Sequence, residues 1–250
     1  MARAFLRRWV RSCGLALLLL EVAASALAHE PVLLNPRWAT PGAQLELESI
    51  GPADPEDVPG YRFLAAGLPS GVVFNVWTKR FGHAFHEVAT GFRAEESGRL
   101  VSIEGDGPEG PRYLDEMVFQ PEQYPRGAIW EVALASTDLK ITAFAKVIPR
   151  PMEAHDGSCA VRLELVSHRG ERFLASGSGF TPGDEVVVES VFAGRVSQRR
   201  RHVSDSGVLP AEVLSHTALV TDRSARYSVK SRTCEVALEY EWGEPALRGR

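Results

Sequence analysis

The sequence has little cysteine, no excess of positive charge and no long hydrophobic run beyond its first 28 residues. Only 3 of its 250 residues are Cys, which excludes a disulfide-dense scaffold. The formal net charge of -4 and an isoelectric point near 6.0 argue against a nucleic-acid-binding protein, which is usually basic. A hydrophobic content of 44% is ordinary for a globular protein and argues against a disordered chain.

The first 28 residues show the three parts of a secretory signal peptide. Several arginines precede a short apolar run, 14–20, and small residues follow up to Ala28. Glu21 interrupts the run, which is too short for a membrane anchor. We therefore predict export to the periplasm or the extracellular space, with cleavage after Ala28 or Ala26 and no membrane span in the remaining chain.

Two cysteines, Cys159 and Cys234, remain after the signal peptide is removed. In an oxidising compartment a lone pair of cysteines most simply forms one disulfide bond. A metal or redox pair is the alternative. The sequence gives it little support, since it has no Cys-x-x-Cys motif and no His at ligand spacing from either cysteine.

The remaining chain is patterned for β-strands. Short segments rich in branched and aromatic residues alternate between polar and apolar positions, and Gly, Pro, Asp and Ser separate them. No window after residue 28 has a long helical period, and residues 210–214 predict one helical turn at most. The segments that predict strands most clearly are 45–48, 72–77, 140–144, 161–165, 185–188 and 236–240.

The chain after residue 28 contains an internal repeat in which five segments recur in the same order. The offset between matches drifts, so the loops differ in length. Prolines 149 and 151 mark a stiff linker between the two copies. We predict two domains, 29–150 and 151–250, and an acidic Gly/Pro-rich insertion in the first, at about 104–128. The matched segments are 45–49 with 163–167, 62–65 with 172–175, 67–71 with 179–183, 97–100 with 206–209 and 139–145 with 234–240.

One segment of the second copy resembles bacterial immunoglobulin-like surface and periplasmic repeats. It reads Gly-Phe-Thr-Pro-Gly-Asp-Glu-Val over residues 179–186 and leads into a Val-rich strand. The resemblance covers mostly residues 159–242 and implies two tandem immunoglobulin-like β-sandwiches. It implies no activity, because this fold mostly serves in spacing, adhesion or binding. It also implies that a Cys159–Cys234 disulfide joins the first and last strands of the second domain.

The sharpest alternative is a copper site at His29. Cleavage after Ala28 would leave His29 with a free α-amine, and an amine with its own imidazole can chelate copper, as in exported copper enzymes. His83 or His86 could complete the site, because imidazole suits copper. Strand alternation places residues three apart on opposite faces, so only one of these two should point inward.

A second alternative is a calcium-assisted adhesin that uses the acidic segment 104–116 together with Glu95 and Glu96. Hard oxygen ligands suit calcium, although the segment lacks the alternation of a calcium-binding loop. Tyr113 and Tyr124 in the same region could form a partner surface. Trp130 nearby is predicted to lie in the core.

A third candidate surface is the basic run Arg199, Arg200 and Arg201. It could meet an acidic partner or polysaccharide, or its charges could protect an exposed edge strand from pairing with another sheet. With no nucleophile elbow, phosphate loop or complete metal-binding motif present, we predict a non-catalytic binding or structural module of the cell envelope. Its expected partner is an envelope protein or polysaccharide, and no cofactor is predicted beyond the copper and calcium alternatives.

Overall fold

The computed structural model describes residues 34–51, 58–104, 110–121, 124–217 and 220–248. The predicted signal peptide and His29 lie outside these residues. The described chain is all-β, as predicted, and its only helices are short 3-10 turns. Residues 33–250 form one compact unit. We call the part up to residue 147 the first half and the part from residue 152 the second half.

The second half is a sandwich of two four-stranded antiparallel sheets. Its strands are β8 Met152–Asp156, β9 Cys159–Leu165, β10 Arg172–Ser178, β11 Glu185–Phe192, β12 Arg195–His202, β13 Leu209–Ser215, β14 Ser224–Lys230 and β15 Glu235–Glu241. One sheet has the order β13-β10-β9-β8 and the other the order β12-β11-β14-β15. This order is that of an immunoglobulin-like sandwich in which β9, β10 and β13 are strands A, B and E, and β11, β12, β14 and β15 are strands C, C', F and G. β8 is an additional strand at the edge beside β9.

The described strands of the first half are β1 Gln44–Ile50, β2 Gly60–Ala66, β3 Val73–Lys79, β4 Phe85–Ala94, β5 Leu100–Ser102, β6 Trp130–Ser136 and β7 Thr142–Val147. In its larger sheet, β4-β3-β6-β7 have the same C'-C-F-G order, and β5 lies at the edge beside β4. The smaller sheet consists of β1 and β2. In the second half β13 pairs with β10, whereas the equivalent strand β2 has only an isolated bridge between Tyr61 and Phe119 among the described residues. Strand E of the first half is therefore almost absent from the part of the chain that the structure describes.

Strict alternation of side chains builds the core of each half. In β3, Phe74, Val76 and Thr78 are buried, and the residues between them are partly exposed. In β15, Val236 and Leu238 point inward, and the glutamates beside them are exposed. Because successive side chains of a strand face opposite sides of the sheet, this pattern places one apolar row of each strand in the interior.

Two glycines show which residues of the halves are equivalent. Gly67 and Gly179 both have positive φ, and each packs against the backbone that leads into the first paired strand, at Gly42 and Ser158 respectively. When these glycines are aligned, the strand registers make Leu45 equivalent to Val161 and Tyr61 equivalent to Phe173. The sequence matches within these two strands were wrong by two residues. A two-residue shift keeps every side chain on its own face, so apolar patterning does not reveal it.

The predicted insertion lies where strand E is interrupted. The turns Glu95–Arg99 and Ser204–Val208 have the same backbone hydrogen bonds, so Leu100 and Leu209 are equivalent. After Leu209 the chain crosses to pair with β10, whereas after Leu100 it stays beside β4 as β5 and then forms the 3-10 helix Leu114–Glu116. The insertion thus leaves the first half without most of this strand.

The helical turn predicted at 210–214 is wrong, because these residues belong to β13. The side chains of Leu209, Glu212 and Leu214 are buried while their neighbours are exposed. Pro210 is tolerated because the pairing with β10 is irregular between Ala175 and Gly177. β8 was also missed, since its sequence Met-Glu-Ala-His-Asp has little strand propensity.

The predicted disulfide is confirmed. Cys159 and Cys234 are bonded, with their Cα atoms 6.5 Å apart and a sequence separation of 75. Cys159 begins β9 and Cys234 directly precedes β15, the last strand. Both cysteines are buried, so the bond joins the two sheets inside the second half.

The two halves meet through backbone hydrogen bonds. The amide of Leu165, at the end of β9, donates to the carbonyl of Gly127 (2.8 Å), and the amide of Gly127 donates to the carbonyl of Arg150 (2.7 Å). Gly127 has φ +74, and a side chain there would overlap Met152. At the tip of the β3–β4 hairpin, a Cβ on Gly82 would lie 3.0 Å from the Cβ of His168.

Candidate functional site

A cleft of about 230 Å³ opens in the first half where strand E is missing. Its floor is the inward face of β3 and β4, and its opposite wall is the segment that follows the Tyr61–Phe119 bridge. A β-bulge in β4 around Val88 bends the strand at this point. The described residues that line the cleft are Thr78, Arg80, His86, Val88, Phe119, Gln120, Pro121, Tyr124 and Trp130.

One wall of the cleft is aromatic and rigid. Trp130 is buried, as predicted, and its ring contacts those of Tyr61 and Phe63. Phe119 stacks on Phe63 with the ring centroids 4.2 Å apart. These contacts hold the apolar surface in place before any ligand arrives, which lowers the entropic cost of binding.

Tyr124, predicted as part of a partner surface, is buried beneath the cleft. Its hydroxyl donates to the carbonyl of Ile129 (2.6 Å) and lies 3.1 Å from the carbonyl of Lys79. Burial raises the pKa of this phenol well above its ordinary value, so it stays neutral at physiological pH. Tyr124 therefore joins the loop after Pro121 to the end of β3 and does not form an exposed aromatic patch.

Basic groups surround the other side of the cleft. Arg80 and His83 flank the tight turn between β3 and β4, where the amide of His83 donates to the carbonyl of Arg80 (2.9 Å). His86 lies on β4, with its Nε2 atom 3.3 Å from the hydroxyl of Thr78. Desolvation, and then the charges of Arg80 and His83, lower the pKa of His86. His86 is therefore neutral at physiological pH.

Arg80 makes no ion pair with any residue that the structure describes. Within the same described part of the chain, no carboxylate lines the cleft. The nearest acidic side chains on these strands lie on the outer face: Glu87 accepts from Asn75 (2.7 Å), and Glu131 pairs with Lys79. Among the described residues, the positive charge of Arg80 at the cleft is therefore uncompensated.

The equivalent space in the second half is filled. The registers place Arg80 at the position of Phe192 and Pro121 close to that of His216. The rings of Phe192 and His216 lie 4.8 Å apart, and Trp242 closes the group at 5.7 Å from His216. His216 is buried, and its Nε2 is 2.7 Å from the hydroxyl of Tyr240. Among the described residues, this aromatic cluster therefore occupies the space that corresponds to the cleft.

The predicted basic surface is largely occupied by internal ion pairs. Arg199 and Arg201 both contact the buried carboxylate of Glu212, at 3.1 and 3.0 Å. The other oxygen of Glu212 accepts from the hydroxyl of Tyr227 (3.0 Å). Arg200 points to the opposite face and pairs with Glu185 (3.1 Å). Two of the three arginines thus connect β12 to β13 across the sandwich.

The acidic segment is likewise partly neutralised within the chain. Arg99 makes paired hydrogen bonds to Asp115 (2.9 and 2.8 Å) and one to Glu116 (2.7 Å). Its guanidinium also stacks on the ring of Tyr113 at 3.6 Å. Residues 105–109 of the predicted calcium segment lie outside the described residues. Among those described, no three His, Cys, Asp or Glu side chains are grouped to hold a metal ion.

The copper prediction is left with two residues on the described chain. His83 is exposed in the turn and His86 lies at the rim of the cleft, so they belong to one hairpin as the sequence indicates. His29, on which the prediction depends, lies outside the described residues. The copper site therefore stays a prediction.

Sequence reasoning missed Arg80 and the cleft. A signal was present, since the match of 67–71 with 179–183 has the register that the structure shows. When this match is extended along the strand that follows, the charged Arg80 aligns with Phe192 of the second half. A charge that replaces a partly buried aromatic residue between two copies of a fold indicates that one copy is open at that point.

Comparisons with known proteins give no family assignment. No known protein family matches the chain, and no curated protein has significant sequence similarity to it. In the described part of the chain, no helix is long and apolar enough to cross a membrane.

Proposed function

We propose that the protein is an exported, non-catalytic binding module whose ligand site is the cleft of its first half. The observation that carries this proposal is the difference between the halves. The same strand order closes around an aromatic cluster in the second half and leaves an open cleft of about 230 Å³ in the first. Binding sites occur where irregular segments interrupt a rigid scaffold, and here the insertion interrupts strand E.

The structure of the rest of the chain suits a scaffold role. The buried disulfide and the Glu212 ion pairs stiffen the second half, and backbone hydrogen bonds join it to the loop that follows the cleft. A disulfide is typical of proteins folded outside the cytoplasm, which supports export together with the predicted signal peptide. The size of the cleft suits a compact ligand or one side group of an envelope protein or polysaccharide.

A fragment screen by NMR tests this proposal with two matched variants. Val88→Trp adds a large side chain at the rim of the cleft, and Val196→Trp adds the same group at an exposed site on β12. We expect fragments that bind the wild type and Val196→Trp to lose binding to Val88→Trp. If no fragment of any charge binds the wild type, or if Val88→Trp binds as well as the wild type, the cleft is not the ligand site.

A further inference from the structure

We infer that the cleft of the first half binds a compact organic carboxylate, with its charged group at Arg80 and its apolar body against Val88, Phe119 and Trp130. This inference rests on the proposed function and narrows it to one chemical class of ligand. Three features of the cleft support it: the charge of Arg80, which no described residue pairs, the rigid aromatic wall and the small size.

The charge of the cleft selects an anion. Arg80 has no ion-pair partner among the described residues, and His83 and His86 add further N–H donors on the same hairpin. A planar guanidinium binds a carboxylate through two parallel hydrogen bonds, which is its strongest pairing apart from phosphate. A cationic ligand would meet repulsion from Arg80 and would find no carboxylate on the described lining.

The aromatic wall selects a ligand with an apolar body. Val88, Phe119, Pro121 and Trp130 form much of the lining, and Val88 remains 42% exposed. A bare inorganic anion would leave this surface in contact with water. An anion with an attached ring or branched chain would cover it and gain the free energy of apolar burial, roughly 25 cal/mol per Å².

His86 can also contribute to the site. Its Nε2 atom lies 3.3 Å from the hydroxyl of Thr78 on the floor of the cleft, and a neutral imidazole offers one N–H donor.

The test compares benzoate, phenylacetate and cyclohexanecarboxylate with their primary amides, which match them in shape but lack the charge. Dissociation constants come from chemical-shift titrations of the full chain at pH 7. We expect each acid to bind about tenfold more tightly than its amide, the difference that a charge-assisted hydrogen bond makes. Equal binding of acids and amides would overturn the inference.

Two arginine variants locate the interaction. Arg80→Gln removes the charge at the cleft, and Arg195→Gln removes one from the equivalent β11–β12 hairpin of the second half. Arg80→Gln should abolish the preference for acids over amides, and Arg195→Gln should keep it. A preference that survives Arg80→Gln overturns the assignment, and so does one that Arg195→Gln removes.

The pKa of His86, followed by NMR, gives a readout that does not depend on affinity. It should rise when benzoate is bound, and it should also rise in free Arg80→Gln, because the neighbouring charge is gone.

If neutral or cationic fragments bind at the cleft and the acids do not, the ligand class is wrong but the binding module stands. If Val88→Trp changes no fragment's binding, both proposals fail.

Discussion

Arg80 stands in the first half at the position that Phe192 occupies in the second. Each lies two residues after one member of an equivalent pair, Thr78 in β3 and Ser190 in β11. Phe192 packs on His216 and Trp242 and helps to seal its half. Arg80 instead borders an open cleft. One scaffold thus provides a closed half that supports the fold and an open half that carries the candidate site.

Glu212 should be among the most important polar residues for stability. Its side chain is 7% exposed and contacts two arginines and a buried tyrosine hydroxyl. Glu212→Gln removes the charge and leaves Arg199 and Arg201 uncompensated, so we expect a loss of about 3 kcal/mol in the free energy of unfolding. Urea denaturation measures this loss.

Glu185→Gln is the control for that change. Glu185 pairs with Arg200 on the outer face, and their side chains are 44% and 77% exposed. Such exposed pairs contribute at most about 1 kcal/mol. If both substitutions lower stability equally, the buried position of Glu212 has no special weight.

The sequence predicted the strands and the disulfide because both depend on local signals. Segments such as 72–77 and 236–240 alternate strictly, and Cys159 and Cys234 were the only cysteines left to pair. The prediction for β13 was wrong because Pro210 and Glu212 are unusual in a strand and the pairing of this strand is irregular. The burial of Glu212 depends on its contacts with Arg199 and Arg201 of another strand, which no local sequence pattern contains.

The cleft was harder to predict because it results from a strand that does not form. The sequence predicted a Gly/Pro-rich insertion, but the effect of this segment on the pairing of β2 depends on where the chain returns, at Phe119. Tyr124 and Arg80 show the same limit. In the sequence both residues resemble ordinary exposed residues. Only the tertiary structure shows that Tyr124 lies beneath the cleft and that Arg80 lies at its rim.

The disulfide should stabilise the protein by about 2–4 kcal/mol, because it closes a long loop in the unfolded chain. A Cys159→Ala, Cys234→Ala double variant should therefore unfold at a lower urea concentration than the oxidised wild type. Reductant should shift the wild type to the midpoint of the double variant and leave the variant unchanged. Coincident curves for the oxidised wild type and the variant would show that the bond adds nothing.

Gly179 should tolerate no side chain, whereas Gly183 should tolerate alanine at modest cost. Both have φ +75, so alanine pays the same backbone penalty of about 1–2 kcal/mol at each position. A Cβ at Gly183 meets nothing within 4 Å, but one at Gly179 would overlap the carbonyl of Ser158. We expect Gly179→Ala to cost about 3 kcal/mol or more. Equal losses, measured by urea unfolding, would contradict the packing argument.

His216 should make the protein sensitive to acid. Burial lowers its pKa from 6.5 to about 4 in the folded chain, whereas in the unfolded chain it keeps an ordinary value. Between these two values the unfolded chain binds the additional proton, so stability falls as the pH drops through this range. This pKa shift corresponds to a loss of about 3 kcal/mol in the free energy of unfolding, and the loss is complete below a pH of about 4.

Urea unfolding at a series of pH values between 7 and 4 measures this loss, and two variants assign it. His216→Phe keeps an aromatic ring among Phe173, Phe192 and Trp242 but cannot take up a proton, so it should flatten the dependence. The variant also lacks the hydrogen bond to Tyr240. This loss lowers the stability equally at every pH, so it does not change how stability depends on pH. His155→Gln, at an imidazole that is 60% exposed, should retain the wild-type slope. A wild-type slope in His216→Phe would show that other groups cause the acid sensitivity.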